Sequence, residues 1–242
     1  MSGGEKREMP GIIGGVGPLA SAYFADLLVR KTKADCDQEH IPFVLYNDTL
    51  IPDRTGFILG KTKENPLPEM KKALAVLSGA GCTFIAITCN TAHYFYTDLQ
   101  EYSPVPVVNM IEEAVKTAVK RVPGAKKIGI MATEGTIESG IYEKYIKEAG
   151  LGYEVPCEEN RRITTDIIYN QIKAGKPADM QAFNTVVNEL LNKGCDAVIL
   201  GCTELSVINS DNMLTEKYPY FTDAMEALAE KCITLCNKEI NL

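Results

Sequence analysis

The sequence lacks several features that would place it at once in a well-marked class of protein. No apolar run approaches the roughly 18 residues of a membrane-spanning helix. Basic residues are not in excess, since the net charge is −7, which argues against a general nucleic-acid binder. The stretch from Met1 to Pro10 is polar and charged, unlike a secretory signal peptide. We therefore expect a cytoplasmic protein.

Signals for cofactors and metals are also missing. Gly14 and Gly17 do not complete a dinucleotide-binding GxGxxG, and there is no GxxxxGK[ST] phosphate loop. These glycines mark either a tight turn or a point where the backbone approaches a small ligand. The eight cysteines include no CxxC pair and no Cys/His cluster at zinc-binding spacing. Nothing indicates a pyridoxal phosphate Schiff base, so we expect neither a metal nor a cofactor, and no disulfide framework.

What the chain does have is a regular alternation of buried strands and helices. With 242 residues, of which 45% are hydrophobic, it is long enough for a large core. Alternation of this kind is typical of α/β folds, in which helices cover parallel sheets. Strands are predicted from residue 11, at 42–46, 84–87 and 104–108, from residue 127, and at 153–156, 197–200 and 218–221.

The second half of the chain repeats the first. The glycine turn at 14–17 corresponds to residues 132–135, Cys89 to Cys202, and Asn109 to Asp223, at near-constant offsets of 113 to 118 positions. We expect an internal duplication related by a pseudo-two-fold axis, with two similar α/β domains that each contain a parallel four-stranded sheet flanked by helices. The predicted domains are residues 1–112 with the C-terminal helix 223–242, and residues 113–222, with the active site in the cleft between them.

Two of the cysteines stand in matching positions. Cys89 and Cys202 each follow a buried strand, at the edge of the sheet where α/β proteins bind ligands. A cysteine that opens a helix lies near its N-terminal NH groups, which favour the thiolate. Taken singly, each cysteine is more often structural, but the matched pair favours catalysis. Two thiols on opposite faces of one carbon suit stereoinversion, because one removes a Cα proton while the other supplies one.

Two further residues attract attention near these edges. His93, four positions after Cys89, either polarises that thiol or only caps and packs. Arg54 lies in a polar loop of nine residues, 47–55, after the second predicted strand. Its planar, permanently charged group suits a carboxylate, although taken alone it is more readily a solvated surface charge.

Four stretches carry a resemblance to a known family. They are Gly-Gly-Val-Gly-Pro-Leu-Ala at 14–20, Asn-Asp-Thr-Leu-Ile-Pro-Asp-Arg-Thr at 47–55, Cys-Asn-Thr-Ala-His at 89–93 and Gly-Cys-Thr-Glu-Leu at 201–205. They closely resemble the aspartate/glutamate racemase family, in particular its aspartate racemase branch, where Met is common at the position of Val16. The resemblance implies cofactor-independent racemisation of amino acids by two bases, in a cleft between two α/β domains, usually in a homodimer.

The same resemblance assigns roles to individual residues. It makes Cys89 and Cys202 the two bases and Arg54 the residue that grips the side-chain carboxylate of the substrate. It makes Lys173 a second cation, in a stretch that matches one residue out of step, with Lys176 as the alternative. The residues that it implies for binding the rest of the substrate are Asn90, Thr91, Thr133, Thr203 and Glu204.

Several functions remain open on the sequence. Aspartate is the first expected substrate, with glutamate next. The alternatives are a glutamate or broad-spectrum racemase, a hydantoin racemase, a maleate isomerase, an arylmalonate decarboxylase, or a non-catalytic dicarboxylate-binding protein. Two cysteines in matched motifs disfavour the decarboxylase, which needs one proton donor. The turn at 14–17 replaces the Asp-Ser-Gly stretch of the glutamate racemase branch.

Overall fold

The structure is a computed structural model that describes residues 7–241. The prediction about the first ten residues therefore falls largely on residues 1–6, which lie outside the described range. The strands, in chain order, are β1 (Pro10–Gly14), β2 (Val44–Asn47), β3 (Phe84–Ile87), β4 (Lys127–Ala132), β5 (Gly152–Glu154), β6 (Ala197–Gly201) and β7 (Phe221–Asp223).

Helices alternate with these strands, as predicted. The α-helices are α1 (Pro18–Lys31), α2 (Arg54–Ile58), α3 (Leu67–Gly79), α4 (Tyr96–Tyr102), α5 (Met110–Arg121), α6 (Glu134–Glu138), α7 (Ile141–Glu148), α8 (Glu158–Asp166), α9 (Met180–Asn192), α10 (Thr203–Asn212), α11 (Leu214–Lys217) and α12 (Ala224–Leu235). Short 3₁₀ turns occupy Asp37–Glu39 and Thr91–Phe95, and a π-helix occupies Ile167–Ile172. Between residues 7 and 241, no helix is long and apolar enough to cross a membrane.

The described residues form two parallel sheets in which the first three strands of each half follow the same order. The first sheet runs β2-β1-β3 and the second runs β5-β4-β6-β7. Every strand pair is parallel. In both sheets the first strand of the half is central, and the strand that precedes the matched cysteine lies beside it. The predicted α/β fold with two sheets flanked by helices is therefore confirmed.

The prediction of four strands in the first sheet is wrong. The segment 104–108 makes only a single parallel bridge, between Ile85 and Val107. Two backbone hydrogen bonds hold it, from Ile85 N to Pro106 O and from Val108 N to Ile85 O. Because Pro104 and Pro106 have no backbone NH, this segment cannot extend the ladder.

The two sheets share one helical layer. The largest buried cluster takes side chains from β1 and β3, from β4 and β6, and from helices α1, α5 and α12. Helix α12 packs against α1 and α5, so the end of the chain returns to the first half. The predicted domain boundary after residue 112 falls inside α5, and we keep the division into two domains as a proposal.

Matching caps support the alignment of the two halves. Asn109 precedes α5, and its Oδ1 accepts hydrogen bonds from the second and third NH groups of that helix. Asp223 precedes α12, and its Oδ1 does the same there. A short side-chain acceptor at this position satisfies NH groups that have no partner within the helix. The two residues that the sequence aligned thus perform the same structural task.

Candidate active site

A small buried cavity lies where the carboxyl ends of the two sheets meet. Its volume is about 20 Å³, roughly room for one water molecule. Loops after β1, β3, β4 and β6 line it, together with α2 and the π-helix. The lining residues are Val16, Asp53, Arg54, Thr55, Cys89, Asn90, Thr91, Thr133, Tyr169, Lys173, Cys202, Thr203 and Glu204. All nine residues to which the resemblance assigns a role are among them, whereas His93 and Lys176 are not.

Cys202 is held as a thiol by its surroundings. It directly follows β6, at the start of α10, and its Sγ donates a hydrogen bond to Glu204 Oε2 at 3.0 Å. Burial first, and the Glu204 carboxylate second, raise the pKa of the Cys202 thiol well above its usual value, although Lys173 lowers it. The expectation that the helix N-terminus favours a thiolate here is therefore wrong, because desolvation and a neighbouring carboxylate outweigh the helix dipole.

Glu204 connects Cys202 to a cation. Its second oxygen, Oε1, lies 3.6 Å from Lys173 Nζ. Burial lowers the pKa of Lys173, but the Glu204 carboxylate and then Cys202 outweigh that effect, so the pKa is raised and the ammonium group stays charged. The ammonium also lies 4.6 Å from the centre of the Tyr169 ring, a favourable cation–π distance. Lys173 therefore has a fixed place beside the thiol.

Lys173 follows directly on the π-helix Ile167–Ile172. Its backbone NH bonds to Ile168 O, five residues earlier, where an α-helix would use the residue four earlier. The wider turn inserts one residue into the helical repeat. Tyr169 and Lys173, four residues apart, both line the cavity, and Lys176 lies beyond the end of the helix.

Arg54 is buried and partly committed to the backbone. It is only 9% exposed. Arg54 is also the first residue of α2, whose cap Asp53 accepts a hydrogen bond from Gly56 NH. The nine-residue loop predicted at 47–55 therefore ends before Arg54. Nη1 donates to the carbonyls of Ile51 and Pro52, and Nη2 donates to the carbonyl of Val16. Within residues 7–241, its Nε is buried without a hydrogen-bond partner. Arg54 thus offers charge and the donors that its three backbone contacts leave over, among them the Nε–H group.

His93 supports Cys89 through the backbone and does not contact its thiol group. Its Nδ1 is 2.9 Å from Cys89 O, and its Nε2 accepts from Met110 NH at 3.1 Å. Because Nε2 is an acceptor, the neutral ring carries its proton on Nδ1 and donates it to the carbonyl. Of the two readings of His93, the structure supports capping and packing. The chain after Cys89 begins as a 3₁₀ turn, Thr91–Phe95, and continues as α4.

The stability of the protein is expected to fall as the pH drops below about 6.5, in part through His93. Burial lowers the pKa of His93 below 6.5, so the unfolded chain binds a proton in this window and the folded chain does not. One such group changes the free energy of unfolding by up to about 1.4 kcal/mol per pH unit. Urea denaturation from about pH 7 to about pH 5 measures the slope.

The variant His93→Asn isolates this contribution, because its amide can still donate to the Cys89 carbonyl but does not titrate. Its stability should depend less on pH than that of the wild type across the same window. The variant His40→Gln, at the other histidine of the sequence, serves as the control. Parallel slopes for wild type and His93→Asn would contradict the assignment.

Three threonine hydroxyls join the two halves at the cavity. Thr91, after β3, lies 2.9 Å from the hydroxyl of Thr133 and 2.8 Å from that of Thr136, and the last two are 3.0 Å apart. Each hydroxyl can donate once and accept once around this ring. Close by, Gly135 lets the halves touch, since a Cβ there would lie 2.9 Å from Thr55 Cα. The site is therefore assembled from both halves in direct contact.

The comparisons with known proteins agree with this geometry. A family model described as Asp/Glu/hydantoin racemase matches residues 13–232. The chain belongs to this family. It is 30% identical over 212 residues to the broad-specificity amino-acid racemase RacX of Bacillus subtilis (strain 168), over 83% of this chain and 87% of that protein. Family membership makes the chain an isomerase of the racemase type and confirms the resemblance.

Solved structures of racemases have the same fold. Picrophilus torridus aspartate racemase matches with a TM-score of 0.83 and 30% identity, over 97% of this chain and 96% of that chain. The glutamate racemase of Francisella tularensis subsp. tularensis SCHU S4, solved with D-glutamate, matches with a TM-score of 0.64 and 18% identity, over 95% and 81%. The second likeness shows the fold alone.

This racemase has residues at its cavity that sequence reasoning missed. Tyr169 and Thr55 line it, and the Tyr169 hydroxyl donates to Thr55 Oγ1 at 3.3 Å. Thr136 completes the hydroxyl ring. The pattern Thr133-x-x-Thr136, with Thr133 as the cap of α6, was the one available signal. Tyr169 gave none, because its partner at the cavity, Thr55, is distant in the sequence.

An outer cavity adjoins the inner one in this racemase. It has a volume of about 400 Å³ and shares Asp53, Arg54, Lys173 and Glu204 with the inner cavity. Gly15 and Gly17, from the turn after β1, also line it. Gly15 has a φ of 81°, and a Cβ there would lie 2.2 Å from the Asp48 backbone, so this position requires a tight glycine turn.

Proposed function

We propose that this chain is a cofactor-independent amino-acid racemase that interconverts L- and D-aspartate, with glutamate as the second acidic substrate. The observation that carries the proposal is the meeting of two buried thiols, Cys89 and Cys202, in one cavity. They come from matching positions after β3 and β6, so they approach the cavity from opposite halves. A pair of proton carriers on two sides of one carbon is what inversion requires.

The proton steps follow from the state of Cys202. Because Cys202 rests as a thiol, Cys89 acts as the base when the resting enzyme binds its substrate. Cys89 thiolate takes the Cα proton, and the electron pair of the broken bond stays on the substrate as a carbanion delocalised into the α-carboxylate. Cys202 then gives its proton to the opposite face and becomes a thiolate. Glu204, next to that thiolate, disfavours its charge. The reverse reaction restores the resting state, because Cys202 thiolate then takes the Cα proton of the other enantiomer and Cys89 returns its own proton to the substrate.

Polar side chains around the cavity supply the stabilisation that a cofactor would otherwise give. Asn90, Thr91, Thr133 and Thr203 offer an amide and three hydroxyls to the α-carboxylate and amino group. Negative charge grows on the carboxylate as the proton leaves, and donors fixed in a dry site stabilise it most at that point. The small volume of the cavity excludes bulk water, and the two halves open to admit an amino acid.

The side-chain carboxylate of aspartate is assigned to Arg54 and Lys173. Arg54 contributes a permanent charge with an unused Nε, and Lys173 contributes an ammonium group opposite. Both also face the outer cavity, through which a substrate enters. Two cations suit a dicarboxylic amino acid, which carries one more negative charge than a neutral amino acid.

A broad substrate range is the second candidate, and one observation favours it. Two acidic groups, Asp53 and Glu204, stand beside the two cations in the cavity wall, so the formal charge of the four is balanced. Both terminal nitrogens of Arg54 also donate hydrogen bonds to backbone carbonyls. A balanced site can accept neutral amino acids, in line with the 30% identity to a broad-specificity racemase.

Proton NMR in deuterium oxide tests the function directly. L- and D-aspartate, glutamate and a panel of neutral amino acids are each incubated with the protein, and optical inversion is followed in parallel. We expect the α-proton signal of aspartate to disappear together with inversion, faster than for neutral amino acids. Comparable rates across the panel would favour the broad range. Absence of exchange in every amino acid would rule out the racemase and favour a binding protein.

A cytoplasmic location and a homodimer stay predictions from the sequence and its resemblance. We propose both for this protein. Light scattering at working concentrations measures the oligomeric state.

A further inference from the structure

We propose that Tyr142 is a positioning residue that fixes the side-chain amide of Asn90, so that Asn90 Nδ2 points at the substrate as a donor. The inference rests on the proposed function, because it assigns a carboxylate to that donor. Tyr142 lies on α7 and is 1% exposed, and its hydroxyl donates to Asn90 Oδ1 at 2.6 Å. The residue does not line the cavity itself.

The Asn90 amide presents a buried donor at the cavity that no protein group uses. Asn90 is 2% exposed and lines the cavity, and among the described residues its Nδ2 has no hydrogen-bond partner. A buried donor without an acceptor is costly, and such groups usually meet water or a ligand. Its place beside Cys89, in the wall of the inner cavity, makes a substrate carboxylate the natural acceptor.

Tyr142 decides which end of the amide faces the substrate. An amide has one accepting and one donating end, and a flip exchanges them. In the observed orientation the tyrosine proton bonds to Oδ1 and Nδ2 is free to donate. In the flipped orientation the tyrosine proton would lose its acceptor, and an oxygen would face the carboxylate. Both changes are unfavourable, so the hydroxyl selects the orientation that binds an anion.

The tyrosine hydroxyl keeps its proton under all ordinary conditions. Burial, followed by the nearby carboxyl group of Asp223, raises the pKa of Tyr142 well above 10. The phenol therefore remains a donor across the working range of the enzyme, and the selection of the amide orientation does not depend on pH.

The ring of Tyr142 reaches the second cysteine loop as well. A Cβ added to Gly201 would lie 3.0 Å from Tyr142 Cε2, so the ring packs directly against the backbone before Cys202. Its hydroxyl meanwhile holds the residue after Cys89. Tyr142 thus contacts Asn90, which follows Cys89, and Gly201, which precedes Cys202. It is therefore placed to hold the amide at a fixed position relative to the two thiols.

A matched pair of hydroxyl deletions tests the proposal. Tyr145, also on α7, accepts a hydrogen bond from Asn109 Nδ2 at 2.7 Å, but Asn109 caps α5 and does not line the cavity. Tyr142→Phe should lower kcat/KM for aspartate by about 20-fold and weaken the binding of succinate, an unreactive dicarboxylate, by a similar factor. Tyr145→Phe should change neither, although both variants should shift the denaturation midpoint.

A double-mutant cycle separates positioning from general loosening. In an Asn90→Ala background the amide is gone, so adding Tyr142→Phe should have no further effect on kcat/KM or on succinate affinity. If Tyr142→Phe does not fold, Asn90→Asp carries the test, because it keeps the acceptor for Tyr142 and removes the donor. It should lose succinate affinity by at least the same factor.

The outcomes distinguish the two proposals. A wild type that racemises and binds succinate, with Tyr142→Phe equal to Tyr145→Phe, overturns the role of Tyr142 alone. An equal effect of Tyr142→Phe with and without Asn90 also overturns it. A wild type that binds succinate but racemises no amino acid refutes the proposed function, while the succinate affinities still test Tyr142. A wild type that does not bind succinate refutes the carboxylate assigned to Asn90.

Discussion

Replacement of Cys89 or of Cys202 by alanine is expected to lower racemisation of aspartate by about 10³-fold. In the proposed mechanism each thiol carries the proton for one face of the substrate carbon, and neither reaches the other face. Inversion is followed by circular dichroism, with both enantiomers as starting material. The variant Cys195→Ala, at a buried cysteine outside the cavity, should racemise at close to the wild-type rate.

Proton exchange in these variants gives a sharper result than the loss of inversion. Each variant retains one thiol, which can remove a proton from one enantiomer and return a deuteron to the same face. We expect Cys202→Ala to exchange the α-proton of one enantiomer without inversion, and Cys89→Ala to exchange that of the other. If both variants exchange the same enantiomer, or if either racemises normally, the two-thiol mechanism is refuted.

Replacement of Lys173 by methionine is expected to lower kcat/KM for aspartate by about 100-fold, and by much less for alanine or serine. Methionine keeps the length and apolar body of the side chain but removes the charge assigned to the side-chain carboxylate. Steady-state kinetics with aspartate and with neutral amino acids measure the difference. Lys176→Met, three residues on and outside the cavity, is the matched control and should behave like the wild type.

The Lys173 variant also leaves Glu204 without its ammonium partner, which affects every substrate by raising the pKa of Cys202 further. The double variant Lys173→Met with Glu204→Gln removes both charges and controls for that effect. Aspartate should remain selectively impaired in the double variant. An equal loss for aspartate and neutral amino acids in both variants would remove Lys173 from the choice of substrate.

The cysteine loops could be predicted because their signals are local. An apolar run ends, a cysteine follows, and small polar residues come next, in both halves of the chain. The matching positions of Asn109 and Asp223 could be predicted equally well, because an N-cap needs only a short side-chain acceptor before a helix. Parallel strands then bring each such loop to the carboxyl edge of its own sheet. The shared cavity was predicted from the additional condition that a pseudo-two-fold axis relates the two halves.

Other features could not be predicted because they depend on distant partners. The orientation of Arg54 is set by carbonyls at Val16, Ile51 and Pro52, which no spacing encodes. Tyr169 bonds at the cavity to Thr55, which is 114 positions away in the sequence. The first sheet has three strands because Pro104 and Pro106 cannot extend it. The helix N-terminus at Cys202 was visible in the sequence, but its effect was reversed by the thiol's burial and by Glu204.

The hydrogen bond from Cys202 to Glu204 has a consequence for the balance of the two directions. Enantiomers have equal free energies in water, so the equilibrium constant of the reaction is one. The Haldane relation then requires kcat/KM to be the same for the L and the D substrate, however unequal the two thiols are. The asymmetry around Cys202 can therefore change kcat and KM only together. The enantiomer with the lower KM must have a kcat that is lower by the same factor.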